Sequence, residues 1–280
     1  SSDLAVSHMN KTETLQNLQT LLNNTATHEW EKQLLEQTRK KIQAGQEIKT
    51  SLEQLEFNLR PLALRNNLTP AVADFYLQLK GDPAGKMRFD YSIHYQKDPA
   101  FQERAIFSGG CFWCLVEPFN TKEGVKSVIS GYTGGHLQHP SYEQVKTHKT
   151  GHVEAVEIIF DSRKINYQTI LATYWRMIDP TDAEGQFDDR GNNYRPAIFY
   201  TTPEQKQIAE KSKSELQSSN KYVKPIIVPI EPAKTFWPAE NYHQEFYKKF
   251  KTRYRHLERT RKQVLFLQHL HARIRTLFKK

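Results

Sequence analysis

Between Lys11 and about Leu79 apolar positions recur at helical spacing, as at Trp30, Leu34, Leu35, Thr38 and Ile42, with charged residues between them. That pattern predicts an all-α N-terminal module. Its sharpest element opens at Thr69-Pro70, a capping residue followed by proline at the first helical position. It runs through Val72, Phe75, Tyr76 and Leu79 on one face and meets Gly81. Residues 81–104 mix Gly, Pro and charge with Phe89, Tyr91 and Tyr95, and read as a connector lying against a surface. From Ala105 onward short β-rich runs alternate with helical segments, the signature of an α/β or α+β domain. Strands are expected over 105–108, 125–132, 152–161, 195–200 and 225–230. A helix should follow the first strand. A second, over 167–178, buries Ile170, Leu171, Tyr174, Trp175 and Ile178, and a third opens at Thr202, where Gln205 completes a capping box. There is no internal repeat and no low-complexity segment.

The last stretch is amphipathic again: Leu257, Val264, Leu267, Leu270, Ile274 and Leu277 or Phe278 recur at spacings of three, four and seven. Charge changes the reading of this helix. Residues 248–280 hold twelve Lys or Arg against Glu258 alone, so this tail is +11 and the remainder of the +9 chain is −2. Any electrostatic partner is therefore located at the tail. The apolar stripe is expected to pack on the N-terminal module, which carries compensating negative charge, leaving the basic face solvated. The other occupants are a second copy of the helix or an anionic surface. No nucleic-acid partner is expected, because aromatic stacking and recognition motifs are lacking. No run approaches ~18 uncharged apolar residues and no signal peptide is evident, so no membrane partner and a cytoplasmic location are expected. Residues 1–8, ahead of a candidate initiator Met9, carry neither an apolar run nor a basic cluster and are read as an expression remnant. The expected organisation is this remnant, a helical module over 9–80, the connector 81–104, a catalytic domain over 105–250 and a basic helix over 251–280.

The only two cysteines stand three apart in Gly109-Gly110-Cys111-Phe112-Trp113-Cys114. Such a pair cannot frame a disulfide-rich secreted domain and reads as reactive. Placed where a strand ends and a helix begins, Cys111 is expected to have a lowered pKa and to be the nucleophile. Cys114, one turn on, is close enough to condense with an oxidised Cys111 and is expected to be the resolving thiol. Two small buried hydrophobes would be the bland reading. A Cys2His2 metal site with His136 and His139 is the other alternative, against which stand the close spacing of those histidines and the glycines and aromatics around the cysteines. In the strand 152–161, Glu154 falls on the same face as Val156, Ile158 and Phe160. A carboxyl on an apolar face is desolvated and tends to stay protonated, which makes Glu154 a candidate proton donor. Its bland reading is an edge-strand glutamate facing water.

Gly-Cys-Phe-Trp-Cys is followed in order by Gly131-Tyr132-Thr133-Gly134-Gly135, Pro140-Ser141-Tyr142, Gly151-His152-Val153-Glu154-Ala155-Val156, Asn192-Asn193-Tyr194-Arg195 and Pro238-Ala239-Glu240-Asn241-Tyr242-His243-Gln244. In this order and spacing the chain resembles the peptide methionine sulfoxide reductase A family over about 105–250. The helical module and the basic tail lie outside the resemblance. It implies an α+β fold with a two-layer, ferredoxin-like α/β plait, reduction of the S epimer of methionine sulfoxide, free or in proteins, and recycling by thioredoxin, with no cofactor and no metal. Tyr142 and Tyr194 would donate hydroxyls to the sulfoxide oxygen, Asp189 matches a family carboxylate near them, and Phe112 and Trp113 would form the apolar slot for the substrate methyl. Ordinary core packing is the bland reading of these aromatics. The role of His152 stays open.

Three departures matter. Many members resolve with a cysteine near the C-terminus and this chain has none, so resolution falls to Cys114 or an external thiol. Pro118 lies in the helix carrying the cysteines and should kink it, bringing Cys114 towards Cys111. Ile178-Asp179-Pro180 stands where some members have His-Asp-Pro. Two other function classes remain: a general CxxC thiol-disulfide oxidoreductase, in which Glu154 and the tyrosines would have no task, and a binding protein acting through its basic tail.

Overall fold

The computed structural model describes residues 10–219, 221–222 and 224–277, with side chains described as far as Leu267. The expectation for 1–8 lies outside the described residues. The chain divides into two compact units, 1–89 with 240–243, and 90–239 with 244–280.

The first unit contains helices α1 (Lys11–Asn23), α2 (Glu29–Gln43), α3 (Ile48–Leu64) and α4 (Pro70–Leu79), each packed on the next. Their apolar stripes meet in a core that includes Leu18, Leu35, Ile42, Leu52, Leu59, Val72, Phe75 and Leu79, with Trp30 and Leu34 partly buried against it. Two buried carboxylates tie the bundle. Glu31 accepts from the Thr69 N–H at 2.8 Å and the Thr69 hydroxyl at 2.9 Å, as well as from the His28 N–H at 2.9 Å. Thr69 stands at the N-cap of α4 as expected, but its side chain is turned to Glu31 at the start of α2 instead of capping its own helix. Glu56 accepts from the Arg60 guanidinium and, at 3.0 Å, from the Tyr76 hydroxyl. Burying a carboxylate is tolerable only when its oxygens are satisfied in this way.

The second unit is mixed α+β. In chain order it has α5 (Ser92–Tyr95), β1 (Gln102–Ser108), α6 (Trp113–Asn120), β2 (Val125–Thr133), α7 (Tyr142–Lys146), β3 (Val153–Asp161) and α8 (Tyr167–Met177). Then come β4 (Gly185–Gln186), β5 (Asp189–Arg190), β6 (Ala197–Tyr200), α9 (Pro203–Ser218), β7 (Ile230–Pro232), β8 (Trp237–Pro238), α10 (Phe246–Lys249) and α11 (Lys251–Leu277). The main sheet runs β7-β6-β1-β3-β2-β8, and β4 pairs with β5 in a small hairpin. Its inner four strands are antiparallel and joined as β-α-β-β-α-β, with α6 after β1 and α8 after β3. The two helices touch each other on one face of the sheet. On the other side Glu157 of β3 meets His94 Nδ1 at 2.6 Å and Arg104 at 3.1 Å, and Arg104 also reaches Asp98 at 2.8 Å. Strand β3 is thus buried along its whole length.

Two predicted elements need correction. The first strand begins at Gln102, inside the stretch read as a connector, because Gln102 to Arg104 extend the ladder to β3. The strand predicted over 225–230 pairs only from Ile230. Pro225 and Pro229 lack the N–H a ladder needs, and the Ile226 and Ile227 N–H groups donate elsewhere, to the Gln217 side chain and the Pro180 carbonyl. At α9 only half of the expected capping box forms: Thr202 accepts from the Gln205 N–H, while the Gln205 side chain accepts from the Thr201 N–H and hydroxyl.

Helix α11 packs on α6 and α10 of its own unit, where the sequence reading expects the N-terminal module. Its covered side carries Tyr254, Arg261 and Leu265, with the predicted Leu257 and Val264 half-buried beside them, whereas the predicted Leu267 is 53% exposed. The predicted positions Leu270, Ile274, Leu277 and Phe278 lie outside the residues whose side chains are described.

Candidate active site

Strand β1 delivers the chain to Gly109-Gly110. Gly110 has φ +81°, and a Cβ there would stand 2.9 Å from Cβ of Gln186, so both backbone and space demand glycine. The Gly110 N–H donates to the Tyr194 carbonyl at 3.0 Å. This turn sets Cys111 before α6 and aims two successive amides at carboxylates: the Cys111 N–H donates to Asp189 at 3.3 Å and the Phe112 N–H to Glu154 at 3.2 Å. Glu154 is 1% exposed, on a strand flanked by β1 and β2, and the edge-strand alternative is excluded.

Tyr194 ends a short 3-10 turn after β5, and Tyr142 opens α7, whose start is fixed by the reciprocal Ser141–Gln144 capping box. Burial raises the Tyr194 hydroxyl pKa far above its ordinary value, and Glu154, Tyr142, Cys111 and Asp189 add to the shift. Those five groups therefore share one neighbourhood. Asp189 is raised by burial, with its Cys111 N–H bond opposing. Phe112 is buried and its ring centre lies 5.9 Å from that of Tyr132. Trp113 faces the tail: it stacks on Phe246 at 3.8 Å with the Arg253 guanidinium 5.1 Å from its ring centre.

The thiols correct one expectation. Burial pushes Cys111 well above its ordinary value, helped by the Glu154, Cys114 and Asp189 charges, and the Trp113 N–H opposes only weakly. Helix α6 begins at Trp113, two residues past Cys111, so the helix start supplies one N–H while two carboxylates stand beside the sulfur. Burial likewise raises Cys114 to about 11, with Arg261 the main opposing charge. Both cysteines are free.

His152 has a structural task. Its Nε2 meets the Leu137 carbonyl at 2.7 Å and its Nδ1 accepts from the Gly135 N–H at 3.2 Å, which pins the glycine-rich loop after β2, and burial lowers its pKa. At the departure Ile178-Asp179-Pro180, a Cβ on Gly109 would meet Ile178 Cγ2 at 2.7 Å, so the isoleucine lies directly under the active-site turn. Among the described residues no group of three or more His, Cys, Asp and Glu is placed to hold a metal ion. Sequence reasoning missed Gln186, which walls the Gly110 turn and whose Oε1 accepts from the Asp179 backbone N–H at 2.7 Å. It also missed Arg261, whose only sequence signal is Pro118: proline there leaves the Cys114 carbonyl without its i+4 donor.

The family model of peptide methionine sulfoxide reductase matches residues 103–274, and that of the bacteriocin immunity protein family matches residues 9–84. Peptide methionine sulfoxide reductase MsrA 2 of Lactococcus lactis is 62% identical over 147 residues, 52% of this chain and 86% of that protein. MsrA 1 of the same organism is 54% identical over 177 residues, 63% of this chain and 97% of that protein. Among solved structures, reduced Mxr1 of Saccharomyces cerevisiae matches with a TM-score of 0.52 and 26% identity, covering 56% of this chain and 90% of that one. With the cysteine turn, the carboxylates and the tyrosines held by one α+β unit, and the family model matching most of the chain, this protein belongs to the peptide methionine sulfoxide reductase family.

Proposed function

We propose that the chain reduces methionine-S-sulfoxide, free or in proteins, to methionine in the cytoplasm, with Cys111 as nucleophile, Cys114 as resolving thiol and thioredoxin as reductant. The observation that supports this most is the convergence of Cys111, Glu154, Asp189, Tyr142 and Tyr194 around one turn. Disulfide exchange alone has no use for a buried carboxyl and two hydroxyls. The Cys111 sulfur attacks the sulfoxide sulfur, Glu154 and the tyrosines hold the oxygen and Glu154 delivers a proton to it. The substrate S–O bond breaks as the oxygen passes to the Cys111 sulfur, leaving methionine and a Cys111 sulfenic acid, and the Cys111 thiol proton replaces the one that Glu154 gave. Cys114 then attacks that sulfur, forming the disulfide and releasing water, and a thioredoxin dithiol reduces the bond. Phe112 and Trp113 form the apolar slot for the methyl group, with Trp113 stacked on Phe246. The resting thiols agree with this scheme: Cys111 need not be a thiolate in water, because binding displaces water and protonation of the oxygen draws electrons from sulfur as the bond forms.

The test is a reductase assay on each epimer of a methionine sulfoxide peptide with dithiothreitol and with thioredoxin. Turnover of the S epimer only, lost in Cys111→Ser, is expected; turnover by Cys111→Ser, or disulfide exchange without sulfoxide reduction, would overturn the assignment.

The helical unit supports a second reading: its likeness to the bacteriocin immunity family over 9–84 and its four consecutively packed helices suit protection against a bacteriocin. Sensitive cells producing full-length Cys111→Ser protein should survive at least one of a panel of bacteriocins active on them. Unchanged killing across the panel removes this role.

A further inference from the structure

Helix α6 breaks its own hydrogen-bond ladder beside the second cysteine. Residue 118 would donate to the carbonyl of residue 114, but it is Pro118 and has no N–H. The orphaned Cys114 carbonyl accepts instead from the Arg261 guanidinium, Nη1 to oxygen 3.2 Å, across from α11. Arg261 is 8% exposed and, among the described residues, forms no ion pair; its Nε has no hydrogen-bond partner. Its neighbours on the helix do not neutralise it: Glu258 pairs with Lys262 at 2.6 Å, and Tyr254 donates to Glu117 at 3.2 Å. A buried arginine with no carboxylate at ion-pair distance is costly, because its charge leaves water without a partner.

We propose that Arg261 is a positioning residue for the recycling half of the reaction, holding the Cys114 segment through its carbonyl and serving as the counter-cation of the Cys114 thiolate. The inference rests on the reductase reading above. The step is the attack of Cys114 Sγ on Cys111 Sγ in the sulfenic acid. The Cys114 proton goes to solvent, the S–S bond forms, the S–O bond breaks, and the departing hydroxide takes a proton to become water. Cys111 sulfur is reduced as Cys114 sulfur is oxidised, and no outside reductant is consumed. Around Cys114 the charges are Arg261 and Glu258 from α11, Asp189 from β5, Glu154 from β3 and the neighbouring Cys111. Arg261 is the main cation in that set, so its removal leaves the attacking thiolate among carboxylates. The cation comes from the tail, residues 248–280, where Glu258 is the single acid among twelve bases.

The test is single-turnover reaction of full-length protein with a methionine sulfoxide peptide, following the methionine burst and the loss of trappable sulfenic acid separately across pH. For Arg261→Gln the ratio of disulfide rate to burst rate should fall about tenfold at neutral pH, the equivalent of one pKa unit on Cys114. The deficit should close at alkaline pH, where Cys114 ionises unaided, and Arg261→Lys should recover most of it. Pro118→Ala restores the helical donor to the Cys114 carbonyl. If Arg261 only satisfied that carbonyl, Pro118→Ala would rescue Arg261→Gln; the proposal requires that it does not. A deficit independent of pH, an unchanged ratio, or equal loss of burst and disulfide rates would each overturn it. Absence of a burst in the parent protein would instead be failure of the reductase reading itself.

Discussion

Cys111 is the proposed nucleophile, and its surroundings reverse the simplest guess about its pKa. Burial and two nearby carboxylates favour its thiol over its thiolate form. Iodoacetamide should modify Cys111 slowly at neutral pH, with a rate that climbs only above pH ~9, the ordinary thiol range. Glu154→Gln, which removes a nearby negative charge, should shift that profile to lower pH. A midpoint below neutrality in the parent would contradict the assignment of burial as the dominant cause. The same Glu154→Gln change should cut sulfoxide reduction by roughly 100-fold, the usual worth of a positioned proton donor. An amide can hold the oxygen but cannot hand over a proton, so the remaining rate should rise as pH falls. Cys114→Ser separates the halves of the cycle: one methionine per chain and a trappable sulfenic acid are expected, with thioredoxin-driven turnover lost. Unimpaired thioredoxin turnover would move resolution to an external thiol.

Elements with a strong period of their own were legible from residue order, and those made by distant pairing were not. The α4 helix, β2, β3, α8 and β6 follow from apolar spacing and from their capping or flanking residues. β8 is two residues long and exists because Gly131 lets the Trp237 backbone close in; a Cβ on Gly131 would stand 2.4 Å from the Trp237 carbonyl oxygen. No local signal encodes such a partner. The candidate site divides the same way. Cys111, Cys114 and Glu154 could be read from spacing and face, the tyrosines and Asp189 only through resemblance, and Arg261 not at all, because its meaning depends on a proline 143 positions earlier. The Gly110 turn offers a test at this scale. Gly110→Ala must give up φ +81° and push on Gln186, and should cost about 1–3 kcal/mol. Denaturant unfolding should show the loss, and sulfoxide reduction should fall further than stability, since the turn aims the Cys111 and Phe112 amides. Unaltered activity would mean that the turn tolerates another backbone path.

At the scale of the whole chain, two family likenesses are joined without a clean seam. The C-terminal family motif Pro238-Ala239-Glu240-Asn241-Tyr242-His243-Gln244 is divided between units. Gln244 belongs to the catalytic unit, where its amide accepts from the Ser130 N–H at 3.0 Å and donates to the Ser130 and Ala239 carbonyls at 2.9 and 2.8 Å. Glu240 to His243 group with the helices. Asn241 donates to Asp74 at 2.9 Å and to the Met87 carbonyl at 3.0 Å and accepts from the Phe89 N–H at 2.9 Å, while Tyr242 donates to Asn66 at 3.1 Å. The helical unit is therefore completed by residues that arrive about 150 positions later in the chain. Asn241→Ala removes three hydrogen bonds from partly buried groups, one of them to a carboxylate, and should destabilise the helical unit by about 2–3 kcal/mol. Amide hydrogen exchange in α4 and around Phe89 should speed up correspondingly, while exchange in β3 should stay at the parent rate. Equal acceleration in β3 would mean that the two units unfold as one, and no change in α4 would mean that the helices hold together without the borrowed residues.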